Sequence, residues 1–341
     1  MKGVAKLARG EGNVGLLDVP DPQAIPGHVV IEVKAAGVCG TDLHIYHDEY
    51  PVEPPVILGH ELAGVVAQVG EGVSNCRLGD RVTSETFFYY CERCVHCRNG
   101  FPNMCASRKS IGSGVNGAFA RYVLVPARNV HLLPPNVDEL SGALTEPLAC
   151  CVHALSTTRV DPADTVVVSG PGAVGLLMAQ VVKAAGAKVA LLGANSDGAR
   201  LEMARTLGVD LTVNVQAEDP KKIIHDMTGG LGADVVFECA GVGASAQTCL
   251  DLVRRCGRYS QVGLFGKSIS WPLDQLVMKE LQMNGSFSHI PSSWPRALKL
   301  MASGQVQTRP LVSQVLPISE WQRAFDAFER REGFKIVLTP E

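Results

Sequence analysis

Three residue types able to share a metal ion meet early in this chain. They lie in Cys39-Gly40-Thr41-Asp42-Leu43-His44 and, after a proline-rich loop, in Gly59-His60-Glu61. Cys39 offers a thiolate, His60 an imidazole and Glu61 a carboxylate. One sulfur, one nitrogen and one oxygen donor suit zinc with its fourth position open to water or a substrate, so the set points to a catalytic ion. Adjacent side chains diverge on a strand and by about 100° on a helix. His60 and Glu61 therefore reach one ion only from irregular backbone, which Gly59 permits. A lone cysteine or histidine is more often packing, so the weight rests on the company these residues keep.

A second group, Cys91, Cys94, Cys97 and Cys105, places four thiols within fifteen residues, in a stretch where Gly100, Pro102 and Asn103 exclude a long helix or strand. Four thiolates close a tetrahedral shell with no open position, which predicts a structural zinc. The competing iron–sulfur reading expects the run to continue to Cys-Pro after three residues, and it does not. Cys76, Cys150, Cys151, Cys239, Cys249 and Cys256 have no metal spacing and read as small apolar core residues.

The elements that must position these donors follow from pattern. With 341 residues the chain is long enough for two domains. Val29–Val33, Gly64–Gly70 and the turn at Gly79-Asp80 read as strands and a turn of a compact β-rich domain. From about residue 150 short β-branched runs alternate with helical stretches: Thr165–Ser169, Lys188–Leu192, Leu211–Val215, Asp234–Glu238 and Arg258–Gly263. That alternation predicts a doubly wound parallel sheet over 151–286. Lys and Arg number 31 against 34 Asp and Glu, a formal charge of −3 with no basic run, which argues against nucleic acid and for a small-molecule substrate. No uninterrupted apolar stretch of about 18 residues and no export signal is read, so no membrane is expected and the address is cytoplasmic.

The first strand of the alternating region runs into Gly170-Pro171-Gly172-Ala173-Val174-Gly175 and a helix. Glycines at positions one, three and six allow a tight turn, close approach of backbone to a pyrophosphate, and close helix packing; the helix N-terminus attracts the phosphate charge. The strand after it ends in Gly193-Ala194-Asn195-Ser196 without the acidic residue that would bind the ribose of NAD, while Arg200 supplies donors suited to the extra phosphate of NADP. The reading is NAD(P), favouring NADP. Asp197 is the alternative, as a displaced ribose acceptor.

These motifs together resemble the zinc-dependent medium-chain dehydrogenases, end to end. Gly59-His60-Glu61 with Glu146-Pro147-Leu148 and Ser293-Trp294-Pro295 is similar to the polyol (sorbitol-type) branch, and Cys39–Tyr46 also to L-threonine 3-dehydrogenase. The resemblance implies an α/β fold: a doubly wound parallel Rossmann sheet with a strand-rich GroES-like catalytic domain. That catalytic zinc domain spans 1–150, the Rossmann domain 151–286, and 287–341 returns to the first. It implies one catalytic and one structural Zn2+ per chain, cofactor contacts from Val242, Gly263 and Leu264 besides the glycine turn, and a homotetramer or homodimer. Zinc would lower the pKa of the substrate hydroxyl and the nicotinamide would take the hydride. Thr41 and His44 take the proton relay, and Glu146 is an alternate zinc ligand or an anchor for water. The alternative substrate is L-threonine. In sorbitol-type enzymes an aromatic residue follows the relay histidine and an Arg-Tyr pair precedes the Trp-Pro segment; here those places hold Ile45 and Ser288-His289. The departure points away from sorbitol itself, with His289, His47 and Glu49 as candidates to meet a differently decorated substrate. A nucleotide-binding protein without turnover is the reading from another class, and the presence of Cys39, His60 and the relay residues argues against it.

Overall fold

The computed structural model describes residues 1–340, and the chain divides into two compact units. One comprises Met1–Ala149, His289–Ala302 and the chain from Thr308 onward; the other comprises Cys150–Ser288 and Ser303–Gln307.

The first unit is built on a seven-stranded sheet. Its central strand, His28–Gly37, pairs antiparallel with Glu61–Val69, with Tyr122–Pro126 and with Lys335–Thr339 near the C-terminus. Smaller sheets of three and two strands accompany it. The β-branched interior residues Val29, Ile31, Val33, Val66, Val123 and Val125 are buried, as strand periodicity requires. Helix Trp321–Glu329 covers this core with Trp321, Ala324 and Phe325, an i, i+3, i+4 stripe. Two pairings matter for the site: Gly37 faces Glu61 on one side and Val337 on the other.

The second unit holds six parallel strands: Thr165–Ser169, Lys188–Gly193, Leu211–Asn214, Ala233–Glu238, Val253–Gln261 and Gln282–Gly285. Numbered in that order they lie 3-2-1-4-5-6, the arrangement of a dinucleotide-binding sheet. All five residues of Thr165–Ser169 are buried, which suits a strand covered on both faces. The α/β class, the doubly wound sheet and the strand-rich partner domain agree with the reading of the sequence. The fifth strand starts at Val253 rather than Arg258, and Cys256 within it is exposed, in a left-handed conformation (φ 54°), so it is not a core residue.

Candidate active site

Cys39 directly precedes the short helix Gly40–Tyr46, and His60 directly precedes strand Glu61–Val69. Gly59 adopts φ 85°, and a Cβ there would stand 2.4 Å from the Phe119 ring, so only glycine makes the turn that aims His60 and Glu61 together. One ligand atom from each of Cys39, His60 and Glu61 lies within 4.8 Å of the others. The surroundings are anionic. Burial opposes protonation of His60, but the Cys39 sulfur, then Asp42 and Glu146, raise its pKa well above the ordinary value. A pocket whose sulfur and carboxylates all favour positive charge suits a cation, and the soft and borderline donors suit zinc.

Asp42, fully buried, joins the two ligand segments. It accepts the N–H of Cys39 at 2.9 Å and that of Gly59 at 3.3 Å, and stands 3.8 Å from His60 Nδ1. Burial raises its pKa against the pull of His60. On the other side Lys335 reaches Glu61, both buried, with Nζ 2.6 Å from Oε1. Desolvation disfavours the Lys335 charge, yet Glu61 and Cys39 hold its pKa above the usual lysine value.

The four-cysteine segment folds into a short helix, Val95–Arg98, and a single 3-10 turn, Pro102–Met104. Its sulfurs gather within 4.8 Å, with Cys94–Cys97 at 3.4 Å and Cys91–Cys97 at 4.0 Å. A tetrahedral zinc with bonds of about 2.3 Å needs edges of about 3.8 Å. Main-chain N–H groups of Cys91, Cys94 and Cys97 point at neighbouring sulfurs at 3.4–3.5 Å, as thiolates require. The N–H of Cys94 is the chief reason the Cys91 thiol is lowered to about 6.

In the other unit the three glycines of the turn do separate work. Gly170 has φ 98° and lies against Ala240; a Cβ on Gly175 would strike the Gly170 carbonyl at 1.8 Å; around Gly172, the N-cap of helix Ala173–Ala184, a Cβ would find nothing within 4 Å. The turn is tight and packed except where a pyrophosphate would approach.

The sequence matches the family models of the alcohol dehydrogenase GroES-like domain over residues 25–135 and of zinc-binding dehydrogenases over 173–303. The chain belongs to the zinc-dependent medium-chain dehydrogenases. It is 42% identical to a sorbitol dehydrogenase of Halalkalibacterium halodurans, covering 100% of this chain and 99% of the relative. To a D-arabitol-phosphate dehydrogenase of Enterococcus avium it is 38% identical, over 99% and 97%. An L-threonine 3-dehydrogenase of Bacillus subtilis is more distant, at 33% over 100% and 99%. Among solved structures, a zinc-binding dehydrogenase from Sinorhizobium meliloti bound to NADP aligns with TM-score 0.89 and 30% identity, over 99% of both chains. The protein is thus an NAD(P)-dependent alcohol/polyol oxidoreductase of the zinc family.

Within this dehydrogenase Thr41 and His44, the residues expected to relay the proton, lie on the helix that Cys39 precedes. Thr41 Oγ1 is 3.8 Å from Cys39 Sγ, and His44, three residues on, is partly exposed with Nδ1 2.7 Å from Glu49. Glu146 is buried and close enough to act on His60 and Lys335. Around the second strand Ser196 is exposed and Gly193 buried; Val242 and Leu264 are exposed. Asp197 is not turned out to receive a ribose. Its Oδ2 accepts the Ala194 N–H at 3.0 Å and its Oδ1 lies 3.4 Å from Arg200, so it anchors its own turn and holds the arginine.

Of the three candidate substrate contacts, His289 is enclosed and the other two are engaged in ion pairs. His289 is fully buried, stacked on Phe87 at 4.3 Å, with Nδ1 accepting the indole N–H of Trp294 at 2.9 Å. An indole can only donate, so Nε2 carries the proton and gives it to Thr86 Oγ1 at 3.0 Å. His47 bridges Glu11 and Glu329, and Glu49 is engaged by His44. Asp42, Lys335 and Gly37 were missed. Asp42 lies inside the Cys39–His44 motif, whereas nothing in the local sequence marks Lys335.

Proposed function

We propose that the enzyme oxidises a secondary alcohol of a polyol or sugar-alcohol substrate, reversibly, with NADP(H) as the favoured cofactor. The observation that carries the reading is the convergence of Cys39, His60 and Glu61 on one point. Zinc bound there would polarise the substrate hydroxyl, and the nicotinamide would accept the hydride. The chain's own part is to hold the reactants and move the proton. Thr41, beside Cys39, is placed to take the hydroxyl proton, and His44 on the same helix face passes it to water at the partly exposed His44–Glu49 pair. Asp42 and Lys335 fix the metal donors, and Glu146 adds a carboxylate as alternate ligand or water anchor. The first unit is the catalytic domain and the second binds the dinucleotide through Gly170–Gly175, with Gly193, Ser196 and Arg200 around the adenosine ribose and Val242, Gly263 and Leu264 around the nicotinamide.

The 42% and 38% identities to sorbitol and arabitol-phosphate dehydrogenases support the polyol class over threonine. Gly193 and Arg200, in place of an acidic strand end, support NADP. A homodimer or homotetramer is supported by the edge strand Gln282–Gly285 and by the exposed apolar Leu273, Val277, Met278 and Phe287 that precede and follow it in the chain. A cytoplasmic address fits a chain that commits five of eleven cysteines to metal ligation. The test is NAD(P)H absorbance with both cofactors against polyols, sugar-alcohol phosphates and L-threonine. Turnover confined to threonine would overturn the substrate class, and a tenfold preference for NAD the cofactor.

A further inference from the structure

We propose that Glu238 is a positioning residue for the dinucleotide, its carboxylate holding the loop Cys239–Val242 against the segment Val262–Leu264 and tying both to the strand that enters the glycine turn. The proposal rests on the reading that this unit binds NAD(P).

Glu238 ends strand Ala233–Glu238 and is fully buried. Its carboxylate accepts from four neutral groups. Oε1 takes the N–H of Ala240 at 2.9 Å and of Gly241 at 3.1 Å, and the Ser245 hydroxyl at 2.6 Å. Oε2 takes Gly241 again at 3.1 Å and Gln261 Nε2 at 2.6 Å. Burying a carboxylate away from a cation is costly, and apolar packing would stabilise a sheet end more simply. What only this group supplies is two acceptor oxygens that turn consecutive main-chain N–H groups inward.

The consequence reaches three strand ends. The Glu238 carbonyl also accepts from Val262 at 2.9 Å and Gly263 at 2.8 Å, so one residue binds both loops. Gly241, at φ 65°, comes so near that a Cβ would stand 2.4 Å from the Leu264 carbonyl oxygen. Gln261 closes the second loop by donating to Gly263 O at 2.8 Å. Ser245 has one proton and gives it to a carboxylate that can only accept, so Ser169 must donate to Ser245, at 2.7 Å. Ser169 is the last residue before Gly170. The hydrogen-bonded path Ser169–Ser245–Glu238–Gln261 therefore sets the glycine turn and both loops in one frame, with the exposed apolar side chains of Val242 and Leu264 at its surface. A dinucleotide must meet turn and loops together, and a frame ordered beforehand spares the ordering cost on binding.

Full-length enzyme carrying Glu238→Gln, Ser245→Ala or Ser245→Thr tests this, with NADPH and NADH dissociation constants from fluorescence and with the unfolding temperature of the cofactor-free protein. Glu238→Gln turns an amide donor toward donors and should weaken cofactor binding by about tenfold or more, and Ser245→Ala by about three- to tenfold. Ser245→Thr, which keeps the hydroxyl, should restore it, and the KM for the alcohol should stay unchanged. If Glu238→Gln does not fold, the Ser245 pair decides. Wild-type dissociation constants in Ser245→Ala, or a loss that Ser245→Thr does not restore, overturn the positioning role. Failure of the wild-type enzyme to bind either cofactor overturns the underlying reading instead.

Discussion

Lys335 and Glu61 form a buried ion pair across Gly37, with the ammonium 2.6 Å from one carboxylate oxygen and 2.5 Å from the other. A Cβ on Gly37 would stand 2.1 Å from Glu61 Oε2 and 2.9 Å from Lys335 Cε. The central strand carries a glycine there because the pair occupies the space a side chain would need. A metal bound by Cys39 and His60 would compete with Lys335 for this carboxylate, so Glu61 would then have two partners to exchange between.

Lys335→Met should separate these roles. Removing one partner of a buried pair leaves an unpaired charge and costs about 3–5 kcal/mol. In zinc-depleted enzyme that loss should appear in full by denaturant unfolding. With zinc restored it should shrink, because the dication neutralises Glu61. An equal loss in both forms would show that Glu61 never turns to the metal.

The four-cysteine group, the Cys39 and His60-Glu61 segments and the glycine turn were legible because each is a short run of distinctive residue types whose spacing implies geometry. Lys335 was not, since its partner lies 274 residues away and only the pairing of the C-terminal strand with His28–Gly37 unites them. Glu238 was hidden for a related reason: as the last residue of an apolar strand it looked like a strand end, and its donors come from Ser245 and Gln261 on later elements. His289 was misread in the opposite direction. A histidine at a position linked with substrate suggested a contact, but Phe87 and Trp294 enclose it, and burial by Phe87, some two hundred residues earlier, has no local signature.

Cys97→Ser should remove the structural ion while sparing the catalytic one. The segment Cys91–Cys105 has little regular structure beyond one short helix and one 3-10 turn, so metal bonding stands in for packing there. The expected result is one zinc per chain instead of two by metal analysis, with a lowered unfolding temperature. Two zincs per chain in the variant would refute the assignment.

His47 should give stability a small pH dependence. Burial works against its charge, but its hydrogen bonds to the Glu329 and Glu11 carboxylates prevail and raise its pKa above 6.5. A raised folded pKa means the contribution is complete below the unfolded value and is lost as pH rises through the folded one. All three side chains are a third or more exposed, so the effect is at most about 0.5 kcal/mol. Unfolding free energies of wild type and His47→Gln should differ most near pH 6 and converge toward pH 9; a constant difference would rule the pair out.

Arg200 tests the cofactor. If it meets the 2′-phosphate, Arg200→Ala should raise the KM for NADP by about 10- to 150-fold, the equivalent of about 1.5–3 kcal/mol for a charged hydrogen bond, and leave that for NAD nearly unchanged. Gly193→Asp looks from sequence like the complementary change, placing a carboxylate where the phosphate would lie. The structure alters that expectation: a Cβ at 193 would stand 2.9 Å from Pro171 Cγ and 3.1 Å from Asp197 Cβ. Pro171 belongs to the glycine turn and Asp197 anchors Arg200, so the aspartate should disturb the site for both cofactors and lower stability. Asp197→Asn is the cleaner partner, because it keeps an acceptor for the Ala194 N–H while removing the charge that now offsets the guanidinium. It should lower the KM for NADP relative to NAD. Steady-state kinetics with both cofactors on Arg200→Ala and Asp197→Asn, each showing an unchanged NADP/NAD ratio, would leave the phosphate pocket without support.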